Sequence, residues 1–144
     1  MKILIFGLPG SGKTTLAKPF AELIGAVHLN GDDVRKKYND EDFSVKGRLR
    51  QSLRMRHLAD GVVLAGRIVV VDFICPTQLT RDWFEADYTI WMDTIDKGRY
   101  NDTNIIFQKP EAVNYHVAEW FNDTHAQLAD VVNNYMRKKK EEKL

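Results

Sequence analysis

The segment Gly7-Leu8-Pro9-Gly10-Ser11-Gly12-Lys13-Thr14 matches G-x-x-x-x-G-K-[ST] at every fixed position, and the chemistry of that spacing is the holding of a polyphosphate. Glycines allow successive backbone N–H groups to converge on one phosphate without Cβ clashes, and a helix starting at the end of the loop adds its positive dipole. Nucleotide binding is therefore expected of Gly7, Pro9, Gly10, Ser11, Gly12, Lys13, Thr14 and Thr15. Lys13 is the catalytic cation for β and γ oxygens, and the Thr14 hydroxyl is a Mg²⁺ ligand. ATP and Mg²⁺ are the cofactors this implies. No Asn-Lys-x-Asp guanine signature is present, which speaks against a GTPase.

A second polar group follows in Asn30-Gly31-Asp32-Asp33-Val34-Arg35, and a third acid, Asp72, ends the apolar run Ile68 to Val71. Asp72 holds the position of a Walker B carboxylate, beside the strand that leads into the glycine loop. There it can hold a magnesium water or orient an attacking hydroxyl. Arg48 and Gln51 fall on the same helical face as Met55, Ala59 and Val62 at about 100 degrees per residue. An inward arginine must find an anion, either a ligand's or that of Asp32 or Asp33, because an unpaired buried guanidinium is costly. Arg50, Arg54 and Arg56 read as a solvated face.

These groups need a frame. Lys2 to Phe6 is an apolar, β-branched run of the kind buried on both faces of a parallel sheet. A helix from Lys13 to Ile24 follows, then a strand at Val27 to Leu29, a helix at Asp32 to Tyr38 and a long helix at Gly47 to Ala65 capped by Gly66. Ile68 to Asp72, Asp87 to Met92 and Tyr115 to Glu119 supply further strands. Thr124 and Gln127 have capping-box spacing before a last helix that aligns Leu128, Val131, Val132, Tyr135 and Met136. Strands alternating with helices predict an α/β protein of the P-loop NTPase fold. It has one parallel five-stranded sheet between helices, with ligands beyond the carboxyl ends of the strands. Residues 1–144 are expected to form one kinase domain with a charged tail from Arg137.

Charge and composition narrow the partners. Lys and Arg number 21 against 20 Asp and Glu, a net charge of +1, so no global field draws the chain to nucleic acid or an anionic membrane. A small-molecule acceptor is expected, and a homodimer is compatible with that surface. Cys75 is the only cysteine, which excludes an internal disulfide and a Cys-based zinc site. The apolar start is too short for a signal peptide or a membrane span, so a cytoplasmic protein is expected. His28, His57, His116 and His125 lack metal-ligand spacing, and Trp83, Trp91 and Trp120 are expected in the core.

Taken together, the glycine loop, Asn30-Gly31-Asp32-x-x-Arg35, Phe43-Ser44, Arg48, Gln51, Phe73-Ile74-Cys75-Pro76 and Lys97-Gly98-Arg99-Tyr100 resemble the adenylyl-sulfate kinase family. That family transfers phosphate from ATP to the 3′-hydroxyl of adenosine 5′-phosphosulfate, in sulfate assimilation. The resemblance covers residues 1 to about 100. It implies that Asp32 and Arg35 face the acceptor, with Asp32 among the catalytic groups, that Phe43 stacks near its adenine, and that Arg48 holds its phosphosulfate. It also implies that Phe73, Ile74 and Cys75 line the pocket floor beside Gln51. Asn30, Gly47, Gln51 and Cys75 stand where the family has Asp, Asp, Asn and Ser, so Asp72 is expected to replace the acid missing at Asn30. The lid is short, drawn from Lys97, Arg99 and Lys109, with Phe107 as an aromatic clamp. The acceptor loop is also similar to that of polynucleotide kinases, and other acceptors (a nucleoside, a sugar acid, a polynucleotide 5′-hydroxyl) or a non-catalytic nucleotide-binding protein remain alternatives.

Overall fold

The computed structural model describes residues 1–144. Its centre is β1 (Lys2–Gly7), whose six residues are all buried because side chains alternate between two apolar layers. Ile3 and Ile5 point into the layer beneath α1 (Lys13–Ile24) and α6 (Thr124–Glu142), where Leu16, Phe20, Leu128 and Val132 pack. Leu4 and Phe6 point the other way, toward Met55, Ala59 and Phe84 from α3 (Val45–Leu64) and α4 (Gln78–Phe84).

The remaining strands are β2 (Val27–Asn30), β3 (Val69–Asp72), β4 (Tyr88–Met92) and β5 (Tyr115–Val117), in the order β2-β3-β1-β4-β5, all parallel. Register does the work of bringing the site together. Ile5 lies opposite Asp72, and Asn30 lies opposite Asp72 from the other side, so three strand ends meet where the glycine loop leaves β1.

Several expected boundaries shift. The strands at 68, 87 and 115 begin or end one or two residues inside the expected limits, and β2 extends to Asn30. Helix α3 starts at Val45, because the Ser44 hydroxyl accepts from the Gly47 N–H at 3.2 Å and caps it. The capping box expected at Thr124 is absent: Thr124 Oγ1 turns back to Phe121, and the box occurs instead at Thr77 and Thr80 of α4. Val131 is exposed, leaving the other positions of its stripe to pack. Trp83 and Trp120 are exposed rather than in the core, and Trp91 stacks on His116 at 4.5 Å. Two further helices were not expected from the sequence, α4 and α5 (Asn101–Ile106), each too short to establish a period. Helix α2 (Gly31–Tyr38) completes the set.

Candidate active site

A cleft of about 620 Å³ opens beyond the carboxyl ends of β1, β2 and β3. One end is the glycine loop. Gly10 and Gly12 adopt φ of +86° and +96°, the left-handed conformation that favours glycine, and so turn the backbone toward the start of α1. A Cβ on Gly7 would collide with the Met92 carbonyl, which fixes glycine where β1 and β4 meet the loop. The Ser11 hydroxyl is buried with no hydrogen-bond partner, and the Ser11 carbonyl accepts from Thr94 Oγ1 at 2.7 Å. Lys13 Nζ donates to Leu8 O at 2.9 Å within the loop. Burial pushes its ammonium down from 10.5 to about 8, against the opposing pull of Asp72 and Asp32. A left-handed glycine loop at a helix start, an orphaned hydroxyl and a desolvated lysine fit a phosphate chain.

The Asp72 carboxylate, buried at the end of β3, is engaged on both oxygens. Thr14 Oγ1 donates to Oδ1 at 2.9 Å, and Asn30 Nδ2 donates to Oδ1 and to Thr14 Oγ1, both at 3.0 Å. His28 donates through Nε2 to Oδ2. The Asn30 amide orientation is fixed because its Oδ1 accepts from the Asp33 N–H at 3.0 Å and caps α2. An aspartate at 30 would set a second carboxylate against Asp72, so the amide at 30 and the acid at 72 form one matched pair. Thr14 and Asp72 supply hard oxygen donors, and no cage of three or more ligating side chains surrounds them. That suits Mg²⁺, which keeps waters and substrate phosphates in its shell. Asp32 lines the cleft with an exposed carboxylate that makes no hydrogen bond of its own.

Arginines dominate the other end. Arg35 donates to the Asp40 and Asp42 carbonyls at 3.3 and 3.1 Å, and its guanidinium lies 4.3 Å from the Phe43 ring centre. Arg48 lies 5.5 Å from that ring, so Phe43 is already packed against two guanidinium groups. Arg48 Nε donates to Phe43 O at 2.8 Å, and its Nη2 reaches Asp102 Oδ2 and Thr103 Oγ1 of α5 at 3.4 and 3.3 Å. Its carboxylate partner is thus Asp102, in place of Asp32 or Asp33. Gln51 donates to Gly31 O at 3.1 Å and ties α3 to α2. Gly47 has no room for a Cβ, which would meet the Asp42 carbonyl, so the 40–44 loop lies directly against α3.

Phe73, Ile74 and Cys75 form one wall. Burial pushes the Cys75 thiol up to about 12, which leaves it an unreactive wall residue. Of the expected residues, Gly7 and Ser11 of the loop and Lys97, Phe107 and Lys109 of the lid do not line the cleft. Phe107 packs under it, 5.2 Å from the Arg81 guanidinium, and Lys97 turns to solvent because Gly98 lies against Pro9 and presents Arg99 to the cleft instead. Arg54 is likewise not solvated: with Arg50 it binds Asp40, at 2.9 and 3.1 Å. Sequence reasoning missed His28, Tyr100, Asp102 and Thr103. For His28 the only signal was its place one pleat below Asn30 on a strand beside β3.

Residues 3–91 match the model of the family described as AAA domain. The chain belongs to that family. A 37-residue stretch of the chain, 26% of it, is 51% identical to an uncharacterized protein of Mycobacterium tuberculosis and spans 7% of that protein's length. Among solved structures, the APS kinase of Mycobacterium tuberculosis in complex with AMPPNP and APS is 18% identical, covers 92% of this chain and 96% of its own, and has a TM-score of 0.79. Shikimate kinase from Acinetobacter baumannii in complex with shikimate is 17% identical, with 96% and 94% covered and a TM-score of 0.58. At these identities the likeness shows a shared P-loop kinase fold for the AAA domain. None of its helices is long and apolar enough to cross a membrane.

Proposed function

We propose that this AAA domain is a phosphotransferase that passes the γ-phosphoryl group of ATP to a hydroxyl of a small acceptor, with adenosine 5′-phosphosulfate the leading candidate. The reading treats residues 1–144 as one kinase domain, working in the cytoplasm. The observation that carries it is the joining of a phosphate cradle, the Thr14–Asp72–Asn30 cluster and two arginines in one cleft.

The roles follow from the contacts. Loop amides and Lys13 bind and orient the β and γ phosphates. Thr14 and Asp72 would hold Mg²⁺, which when bound spreads the charge of the phosphate oxygens. With Asp72 already accepting from three side chains, Asp32 is the better group to take the acceptor's hydroxyl proton as its oxygen attacks phosphorus and ADP leaves. Arg99, exposed above Gly10, neutralises charge developing on the transferred group, and Arg35 and Arg48 hold the acceptor. A second reading is a different hydroxyl acceptor with an anionic group of its own, because the exposed Asp102 carboxylate holds Arg48 only at 3.4 Å and yields it to any anion that fits there.

The test is a coupled ADP-release assay with adenosine 5′-phosphosulfate, a panel of nucleosides and sugar acids, and a 5′-hydroxyl oligonucleotide. ADP release with adenosine 5′-phosphosulfate alone is the expected result. Release with another acceptor selects the second reading, and calorimetry without any Mg·ATP binding sinks both.

A further inference from the structure

Arg48 is the more enclosed cation of the acceptor end, its side chain 7% exposed against 11% for Arg35. An enclosed guanidinium needs an anion, and the carboxylate it has is a poor one. Asp102 Oδ2 sits 3.4 Å from Arg48 Nη2, well beyond the roughly 2.7–2.9 Å of a strong charge-assisted bond, and the Asp102 side chain is 69% exposed. Thr103 Oγ1 adds a contact of 3.3 Å that is equally long. Asp40 shows the contrast. Its side chain is 6% exposed and takes guanidinium bonds of 2.9 and 3.1 Å from Arg54 and Arg50. That network is built to stay, whereas Asp102 gives up little when it returns to water.

The source of the partner matters as much as its strength. Asp102 comes from α5 and Arg48 from α3, and both residues line the cavity that Lys13 and Thr14 also line. An exposed carboxylate that lines a cleft beside a buried arginine stands where an incoming anionic group would stand. We propose that Asp102 sets the acceptor specificity of this cleft: its carboxylate holds Arg48 until a carboxylate, phosphate or sulfate group on the acceptor displaces it. An anionic acceptor exchanges a long, exposed contact for a short, enclosed one. A neutral acceptor has nothing to offer Arg48 and meets Asp102 still in place. The inference rests on the kinase reading of the cleft, and it deepens that reading by naming the acceptor's charge.

The experiment uses inorganic sulfate as the probe, titrated by calorimetry and thermal shift against the wild-type chain, Asp102→Asn, Asp102→Ala, Arg48→Gln and the double variant Asp102→Ala with Arg48→Gln. Sulfate taken up by the phosphate loop is common to all five proteins and cancels in the comparison. Removing the Asp102 charge is expected to lower the half-saturating sulfate about fivefold, the upper end for an ion pair with one exposed partner. That gain is expected to vanish in the double variant. Equal half-saturation in the wild type and both Asp102 variants overturns the proposal. So does a gain that survives Arg48→Gln, since it would report only a general loss of negative charge. Failure of the wild type to bind Mg·ATP would remove the kinase reading while leaving the sulfate comparison intact.

Discussion

At the cradle end the cleft is bounded by one continuous loop, turned by two glycines at φ of +86° and +96° and running into a helix start. At the proposed acceptor end the lining includes guanidinium side chains, held by partners as far as 55 residues away in sequence. The first arrangement is written in eight consecutive residues. The second is assembled from α2, α3, α5 and the 40–44 loop, so one exchanged side chain can change what it accepts while the sheet stays as it is. The fold itself is shared with an APS kinase and a shikimate kinase.

If the cradle is the chemical end, its variants should stop transfer and leave the fold standing. Lys13→Ala is expected to reduce turnover on the order of 10³-fold with an unchanged melting temperature, measured by ADP release and calorimetry. Asp72→Asn keeps the shape of the cluster and removes its charge. Turnover is expected to fall at least about 10²-fold with ATP affinity nearly retained, and near-normal turnover would take Asp72 out of the mechanism.

The acceptor end should respond differently. Arg48→Gln is expected to raise the acceptor KM roughly tenfold while the ATP KM holds, because its contacts lie away from the phosphate loop. The smallest effect belongs to the Asp40 network. The Asp42 N–H, Arg54, Arg50 and Arg35 hold the Asp40 carboxyl down to about 2 from 3.8. A depressed carboxylate contributes fully above its unfolded value, so this contribution is complete above about pH 4 and is lost as the pH falls toward 2. Asp40→Asn should cost roughly 1 kcal/mol at neutral pH, seen as a lower denaturation midpoint, and should flatten the acid limb of the stability curve over that window.

What the sequence disclosed follows the same division. The glycine loop and the apolar runs of β1 and β3 are local signals, and the parallel sheet follows from alternating elements. Asp72 was legible because it closes an apolar strand. Arg48 was legible as inward-facing because helical spacing is periodic, yet its partner on α5 was not, since no local rule links residues 54 apart. Arg54 was misread as solvated because Asp40 reaches it from a loop that has no period. His28 looked inert until strand register set it beside Asp72. The tryptophans were assigned inward on size alone, and two of them lie on the surface.

One small closure in the bridging segment has consequences at both ends. The Asn104 side chain accepts from the Gly98 N–H at 2.7 Å and donates to the Gly98 carbonyl at 3.1 Å, so residues 98–104 form a stapled ring that carries Arg99 on one side and Asp102 on the other. A ring of that kind moves as a piece. If an acceptor that unseats Asp102 also shifts Arg99 through this ring, the proposed acceptor and ATP would bind with coupled affinities. By thermodynamic reciprocity, whatever factor the acceptor imposes on ATP affinity, ATP imposes on the acceptor. Substrate synergy in this chain would then be a property of one asparagine.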